Sequence, residues 1–298
     1  MPDSSASTST FRVGVALAVF AAIGFASKAI FVKLAYRFQV DAITLLTLRL
    51  LLALPFLGLM RLWRRQPAPP LSWQDRGWLV ALGLLGYYLS SLLDFLGLVT
   101  VSASLERLIL MLYPTFTVLL STWLLKQRLT ARMVTALAIT YAGMFLVLVP
   151  DLANARAQWS GVLLVFLSTL SYALYLTWSP AVIARIGAMR FTELALSISA
   201  LAMGAHFITT RPLTDLIQPW PVLGYALAIA IIATVLPIYA LANAIGRIGS
   251  SRAAIIGSLG PVLTIVLSMG VLDEHLSALQ WLGAAVVITG VWIVGKRR

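Results

Sequence analysis

Long apolar stretches with few charged residues dominate the chain and divide it into ten segments of similar length. The segments are approximately residues 12–34, 42–62, 77–99, 103–125, 132–150, 160–183, 192–210, 221–244, 253–272 and 277–295. A helix needs about 20 apolar residues to cross a bilayer, because the hydrocarbon core is about 30 Å thick and each residue adds about 1.5 Å. The pattern therefore predicts ten transmembrane helices.

Helices fit these segments better than transmembrane strands do. Strands would alternate apolar and polar residues, whereas residues 108–125 and 255–272 are apolar over consecutive positions. Short connections predict that consecutive helices are antiparallel neighbours, so the fold class is an all-α membrane protein. Residues 1–11 are rich in Ser and Thr and are predicted to be a disordered N-terminus. Residues 296–298 form a basic tail.

The chain also repeats itself in a 147-residue register. The aligned pairs that carry this register are Gly14 and Gly161, Gly77 and Gly224, Pro114 and Pro261, and Gly143 and Gly290. Each copy, 12–150 and 159–295, holds five predicted helices, so the second copy has to insert upside down. Inverted repeats of this kind are a plan of secondary transporters, whose binding sites lie near the midplane between the halves.

The distribution of charge predicts the orientation in the membrane. The chain has 22 Lys and Arg against 10 Asp and Glu, and only 11% of its residues are charged, too few for a soluble globular protein. With a cytoplasmic N-terminus, 15 basic residues fall on inward-facing segments and five on outward-facing ones. Basic residues favour the cytoplasmic side. We therefore expect both termini in the cytoplasm, a location in the inner (plasma) membrane, and no nucleic-acid binding.

Several kinds of chemistry have no residues to support them. The chain has no Cys and two His, so disulfides, thiolate sites and a histidine-rich metal centre are not expected. It contains no phosphate-binding loop and no nucleophile elbow. We accordingly predict no enzyme activity, no cofactor and no metal, and a driving force that is an ion or substrate gradient or a soluble partner. The sequence carries no indication of an oligomeric state.

The motifs resemble those of the drug/metabolite transporter superfamily, specifically its EamA-type ten-helix members. The resemblance rests on Leu112-Tyr113-Pro114, Lys126-Gln127-Arg128-Leu129 and Gly143, on Gly260-Pro261, Asp273-Glu274-His275-Leu276 and Gly290 in the second copy, and on Arg49. Gln127 departs from the Glu that the family usually has there. Residues 126–129 are basic and the equivalent residues 273–276 are acidic, as expected if the two segments face opposite sides of the membrane. The resemblance implies transport of small metabolites, often amino acids or amphipathic compounds, by export or in both directions.

The sequence thus predicts a secondary active transporter that works by alternating access in a cavity shared by both repeats. Export of an amino acid, an amine or a similar small amphipathic metabolite is the leading version. An uptake carrier of the same fold is one alternative. An intramembrane enzyme or a non-transporting membrane scaffold is the alternative from a different class.

Five charged residues lie inside predicted helices, where each costs at least about 2.5–3.5 kcal/mol, and are therefore functional candidates. They are Lys28, Arg49, Asp94, Glu106 and Arg107, all in the outward half of the first repeat. We interpret them as substrate-binding or gating residues, except Arg49, for which we expect a structural partner. Burial would favour the protonated form of Asp94 or Glu106, so protons are a candidate coupling ion. Structural ion pairs, or side chains that reach the outer interface, are the alternative.

Aromatic and small polar residues complete the predicted cavity. Tyr113, Tyr175, Tyr239 and Asn243 have groups that can stack on and hydrogen-bond an organic substrate. Helix packing or a place in the interfacial aromatic belt is the alternative for each of them. Pro114 and Pro261 are interpreted as hinges for alternating access, with static kinks as the alternative.

Overall fold

The computed structural model describes residues 4–64, 70–126, 131–153, 158–248, 256–257 and 259–295, and within these ranges it contains helices and no strands. The helices are α1 (Ser4–Tyr36), α2 (Ala42–Arg64), α3 (Trp73–Gly83), α4 (Ser90–Leu98), α5 (Ala103–Leu110), α6 (Tyr113–Leu125), α7 (Ala131–Ala153), α8 (Trp159–Ile186), α9 (Ala188–Thr210), α10 (Trp220–Ala230), α11 (Leu236–Ile248), α12 (Gly260–Leu272) and α13 (Ala278–Gly295). Two π-helical segments, Leu84–Leu89 and Ile231–Val235, join α3 to α4 and α10 to α11. A short 3-10 helix, Leu213–Leu216, follows α9.

Seven helical stretches of the described residues are long and apolar enough to cross a membrane. They are Phe11–Tyr36, Ala42–Leu59, Trp73–Leu98, Ala103–Leu124, Trp159–Ile186, Ala188–Thr210 and Trp220–Ile245. Three shorter apolar helices, Ala138–Val147, Gly260–Leu272 and Ala278–Gly290, coincide with the remaining predicted segments. The protein is therefore an all-helical, multi-span membrane protein, and the total of ten crossings stays a prediction.

The first helix is longer than the apolar pattern indicates. It begins at Ser4, so residues 4–11, which we expected to be disordered, continue the helix. This stretch contains no Pro or Gly, and extending an existing helix avoids the unfavourable nucleation step. Residues 1–3 and the basic tail 296–298 lie outside the described residues.

The backbone follows the repeat register of the sequence. The two π-helical segments begin at Leu84 and Ile231, which are equivalent positions of the two copies. The chain also breaks its helix at the same point of each copy: the amide of Leu112 donates to the carbonyl oxygen of Ile109 at 3.0 Å, and that of Leu259 to Ile256 at 3.1 Å. Pro114 and Pro261 follow as the second residues of α6 and α12. Because proline has no backbone N–H, it removes a hydrogen bond from the preceding turn and favours a break there.

Equivalent glycines make equivalent contacts between the copies. Gly161 in α8 packs against Thr100 and Val101, and Gly14 in α1 packs against Arg247 and Ile248. These partners are related by the same repeat register as the two glycines are. The junction between α8 and the end of α4 is thus reproduced by α1 and the end of α11, and both leave no room for a side chain at the glycine. Small residues let membrane helices approach closely in this way.

Helices α7 and α13, which are copies of one another, run antiparallel. Gly143 contacts Gly283 and Val287, whereas Val147 contacts Gly283. The contacts therefore shift towards the N-terminus of α13 as they proceed towards the C-terminus of α7. A Cβ atom on Gly143 would lie 2.7 Å from the backbone nitrogen of Val287 and 2.8 Å from the carbonyl oxygen of Gly283. The close approach therefore depends on glycine in both helices.

The two large apolar cores each contain helices of both copies. One core joins α1 and α2 to α4, α9, α10 and α11, and the other joins α5, α6 and α7 to α8, α12 and α13. Large apolar side chains also cover the outside, such as Leu201, Ile208 and Trp123, which is 78% exposed. Soluble monomers rarely expose large apolar patches, and such a surface suits contact with lipid.

Candidate functional site

Three charged side chains from three different helices meet inside the protein. The Lys28 ammonium of α1 lies 2.5 Å from Asp94 Oδ2 of α4 and 3.1 Å from Glu106 Oε1 of α5. Asp94 is 3% exposed and Glu106 is fully buried. We call these three residues the charge cluster. The structure thus brings together three of the four charged residues that we interpreted as binding or gating residues.

The charge cluster contains more acceptor groups than donors. One ammonium faces two carboxylates, which also interact with each other. Within the described residues, Asp94 Oδ1 and both Glu106 oxygens have no hydrogen-bond partner of good geometry, although Glu106 forms its ion pair with Lys28. A buried acceptor without a donor is costly. The cluster therefore combines buried charge with carboxylate oxygens that lack a donor among the described residues.

Glu274 of the second copy holds the beginning of α5 in place. Its Oε1 accepts a hydrogen bond from the amide of Ala103 at 2.8 Å, and its Oε2 accepts from the amide and hydroxyl of Ser104 at 3.0 and 2.8 Å. Ser104 Oγ also lies 2.6 Å from Ser268 Oγ of α12. The first amides of a helix lack partners within it and favour a negative charge. Glu274 thereby fixes the helix that carries Glu106 and Arg107, a link that the sequence pattern did not predict.

Four tyrosines form a row next to this helix. The ring of Tyr113 meets Tyr172 edge to face at 5.6 Å, Tyr172 stacks on Tyr175 at 5.5 Å, and Tyr175 meets Tyr87 at 5.4 Å. The hydroxyls of Tyr87 and Tyr175 lie 3.3 Å apart. We call Tyr113, Tyr172, Tyr175 and Tyr87 the tyrosine row. Two of its members, Tyr113 and Tyr175, are site candidates from the sequence. Tyr87 was missed because nothing in its sequence surroundings distinguishes it from other aromatic residues of apolar segments.

Arg107 lies between the copies and beside the tyrosine row. Its Nη2 is 2.6 Å from the position that a Cβ atom on Gly260 would occupy. It also interacts electrostatically with Tyr113 and Tyr172. The guanidinium therefore extends from α5 of the first copy to the start of α12 of the second.

Tyr239 and Asn243 belong to a different group, which includes Glu193 of α9. Tyr239 Oη donates to Glu193 Oε1 at 2.5 Å, and both residues are buried. Asn243 Nδ2 donates to the carbonyl oxygen of Tyr239 at 2.9 Å. Glu193 was missed because the predicted segment began at residue 192 and left it at the end. Helix α9 begins earlier, at Ala188, which places Glu193 inside it.

Arg49 has structural partners in the second copy and the first. Its Nε donates to Thr234 Oγ1 at 3.3 Å, and its Cζ lies 5.5 Å from the centre of the Phe95 ring. Thr234 lies in the π-helical segment Ile231–Val235 and donates to the carbonyl oxygen of Ile229 at 2.8 Å. Arg49 thus connects α2 to this irregular part of the second copy.

The family of the protein follows from its similarity to known proteins. Residues 12–149 and 159–296 each match the EamA-like transporter family. The protein belongs to this family, which confirms the resemblance read from its motifs.

Relatives in bacteria carry transporter names. The chain is 32% identical over 295 residues to the uncharacterized transporter YcbK of Bacillus subtilis, covering 95% of both chains. It is 25% identical over 206 residues to a probable amino-acid metabolite efflux pump of Escherichia coli, covering 64% of this chain and 67% of that one. A crystal structure with 17% identity matches at a TM-score of 0.64 over 94% of this chain and 97% of the other, which shows a shared fold.

Proposed function

We propose that the protein is a secondary active transporter that exports a small amphipathic metabolite, such as an amino acid or an amine, by alternating access. The observation that carries the proposal is the buried charge cluster, Lys28 with Asp94 and Glu106, beside an aromatic wall between two copies of one helical unit. Charges inside a membrane protein are costly and typically serve ion or substrate pathways. The relative described as a probable amino-acid metabolite efflux pump supports both the substrate class and the direction.

The proposed mechanism requires two inverted repeats, 12–150 and 159–295, with five crossings each. The antiparallel packing of α7 against its copy α13 supports this arrangement. Two copies of one helix that cross a membrane in opposite directions are related by an axis in the membrane plane, as in other secondary transporters. The equivalent π-helical segments and glycine contacts support the same relation.

We also propose that the protein lies in the inner membrane and that both of its termini face the cytoplasm. Two ion pairs support the assignment of connections to sides. Asp41 and Arg211, both from segments predicted to face outward, are 3.4 Å apart, and Asp75 and Arg185, both predicted to face inward, are 2.7 Å apart.

The candidate residues have distinct proposed roles. Asp94 and Glu106 bind protons or a substrate cation in competition with Lys28, because the cluster has unsatisfied acceptors. Arg107, Tyr113 and Tyr175 contact the substrate from the outer half, and Tyr239 and Asn243 do so from the inner half. Arg49 acts as a structural support, and Pro114 and Pro261 act as hinges at equivalent helix breaks.

The experiment is counterflow in liposomes that contain the purified full-length protein, with a panel of labelled amino acids and amines. We expect saturable counterflow of at least one solute, and net flux that responds to a pH gradient. Asp94→Asn and Glu106→Gln should each lower the flux at least about 10-fold, a loss of about 1.4 kcal/mol. Asp215→Asn, which removes a carboxylate outside the membrane helices, is the matched control and should leave the flux unchanged.

Two results would overturn the proposal. One is the absence of counterflow for every solute in the panel by protein that remains folded. The other is chemical conversion of a solute without its movement across the membrane, which would indicate an intramembrane enzyme instead.

A further inference from the structure

Arg107 is a cation that the described part of the protein leaves without a counter-charge in direct contact. Among the residues that the structure describes, its guanidinium forms no hydrogen bond and no ion pair of the kind that joins Lys28 to Asp94 and Glu106. The carboxylate next to it in sequence, Glu106, is engaged by Lys28 instead. Arginine presents five donors in a planar fork that matches a carboxylate. Within the part of the chain that the structure describes, these donors have no acceptor.

Gly260 provides the space that the guanidinium occupies. Arg107 Nη2 lies 2.6 Å from the position of a Cβ atom on Gly260, so any larger residue would displace it. The equivalent position in the first copy is Tyr113, which contributes a ring to the tyrosine row. One copy thus contributes an aromatic wall and the other a gap at the same place in the repeat.

The neighbouring rings form a wall suited to a flat ligand. Tyr113 and Tyr172 pack edge to face at 5.6 Å, and both interact electrostatically with Arg107. Tyr113 remains 39% exposed, so the packing of Tyr172 covers only part of it. It is the first residue of α6, directly after the break that ends α5.

We propose that Arg107, whose guanidinium lies in the space left by Gly260, binds the carboxylate of an aromatic substrate and that Tyr113 and Tyr172 contact its ring. The inference rests on the proposed function and adds a substrate class to it. Charge-assisted, two-pronged hydrogen bonds supply orientation as well as affinity. Aromatic rings prefer the edge-to-face and offset contacts that this wall offers.

The test measures binding of three labelled probes to the purified full-length protein by equilibrium dialysis. Phenylacetate has the ring and the carboxylate, phenethylamine has the ring with the opposite charge, and acetate has the carboxylate alone. We expect phenylacetate to bind more tightly than either of the others. Arg107→Gln should weaken phenylacetate binding at least about 10-fold, and Arg107→Lys, which keeps the charge but loses the fork, should weaken it less.

A second pair of variants tests the gap without changing any charge. Gly260→Ala places a methyl group where Arg107 lies, so it should weaken phenylacetate binding while leaving the arginine present. Gly270→Ala, in the same helix but with open space around the new methyl group, should bind phenylacetate as the wild type does. Circular dichroism and thermal unfolding show whether each variant is folded.

The proposal is overturned if phenylacetate and phenethylamine bind alike, or if folded Arg107→Gln and Gly260→Ala bind phenylacetate as tightly as the wild type. Flux in liposomes is measured on the same preparations and reports on the proposed function separately. Flux of some other solute without phenylacetate binding would refute only this inference. Phenylacetate binding that depends on Arg107, without flux of any solute, would refute only the transporter proposal.

Discussion

The two copies of the repeat share a backbone and differ in what they place inside it. Lys28 in α1 and Tyr175 in α8 occupy the same position of the repeat. Lys28 forms ion pairs with Asp94 and Glu106, whereas Tyr175 stacks on Tyr172 and contacts Tyr87. The shared features are those that let helices approach or break, such as Gly14 and Gly161. The fold therefore accommodates an ion pair at this position of one copy and an aromatic stack at the same position of the other.

Of the variants that test this difference between the copies, the one that removes the cation of the charge cluster should have the largest effect on stability. Lys28→Met leaves two buried carboxylates without their ammonium, and breaking a buried pair in this way costs about 3–5 kcal/mol. Thermal unfolding in detergent measures the loss. Adding Asp94→Asn and Glu106→Gln to Lys28→Met should restore most of the stability, because the three charges are then gone together. A triple variant that is no more stable than Lys28→Met would contradict the interpretation that the three charges stabilise one another.

The shared backbone is tested next, at the contact between α7 and α13. Gly143→Ala forces a methyl group to within 2.7 Å of the backbone nitrogen of Val287, and overpacking of this kind costs about 1–3 kcal/mol. Gly224→Ala is the matched control, since a methyl group there meets nothing within 4 Å. The same thermal unfolding measurement applies. Equal stability of the two variants would argue against the close antiparallel contact.

The smallest expected effect comes from a substitution that makes residues 273–276 more like their repeat equivalents, residues 126–129. Glu274→Gln gives the second copy the residue that the first has at Gln127. The change removes the negative charge that accepts hydrogen bonds from Ala103 and Ser104, so we expect a loss of about 1–2 kcal/mol. Phenylacetate binding should also weaken, because Arg107 lies on the helix that Glu274 holds. Unfolding and binding identical to the wild type would contradict this role; Gln127 itself lies outside the described residues.

Residues inside the predicted site differed in how well the sequence located them. Lys28, Asp94 and Glu106 could be recognised singly, because charge is conspicuous in an apolar segment. Their partners could not be predicted, since 66 residues separate Lys28 from Asp94. Tyr239 and Asn243 were grouped with them on residue type and on a shared helix face, and the bond from Tyr239 to Glu193 could not be predicted.

Membrane insertion, helical structure and the repeat register could all be read from the order of residues, because apolar length, Pro and Gly act locally along the chain. Which charges meet, which tyrosines stack and which glycine makes room for Arg107 depended on helix packing, because these contacts join helices far apart in sequence. Gly260 illustrates the difference. Its place beside Pro261 is evident in the printed sequence, and its function as the space for a guanidinium of the other copy exists only in the folded protein.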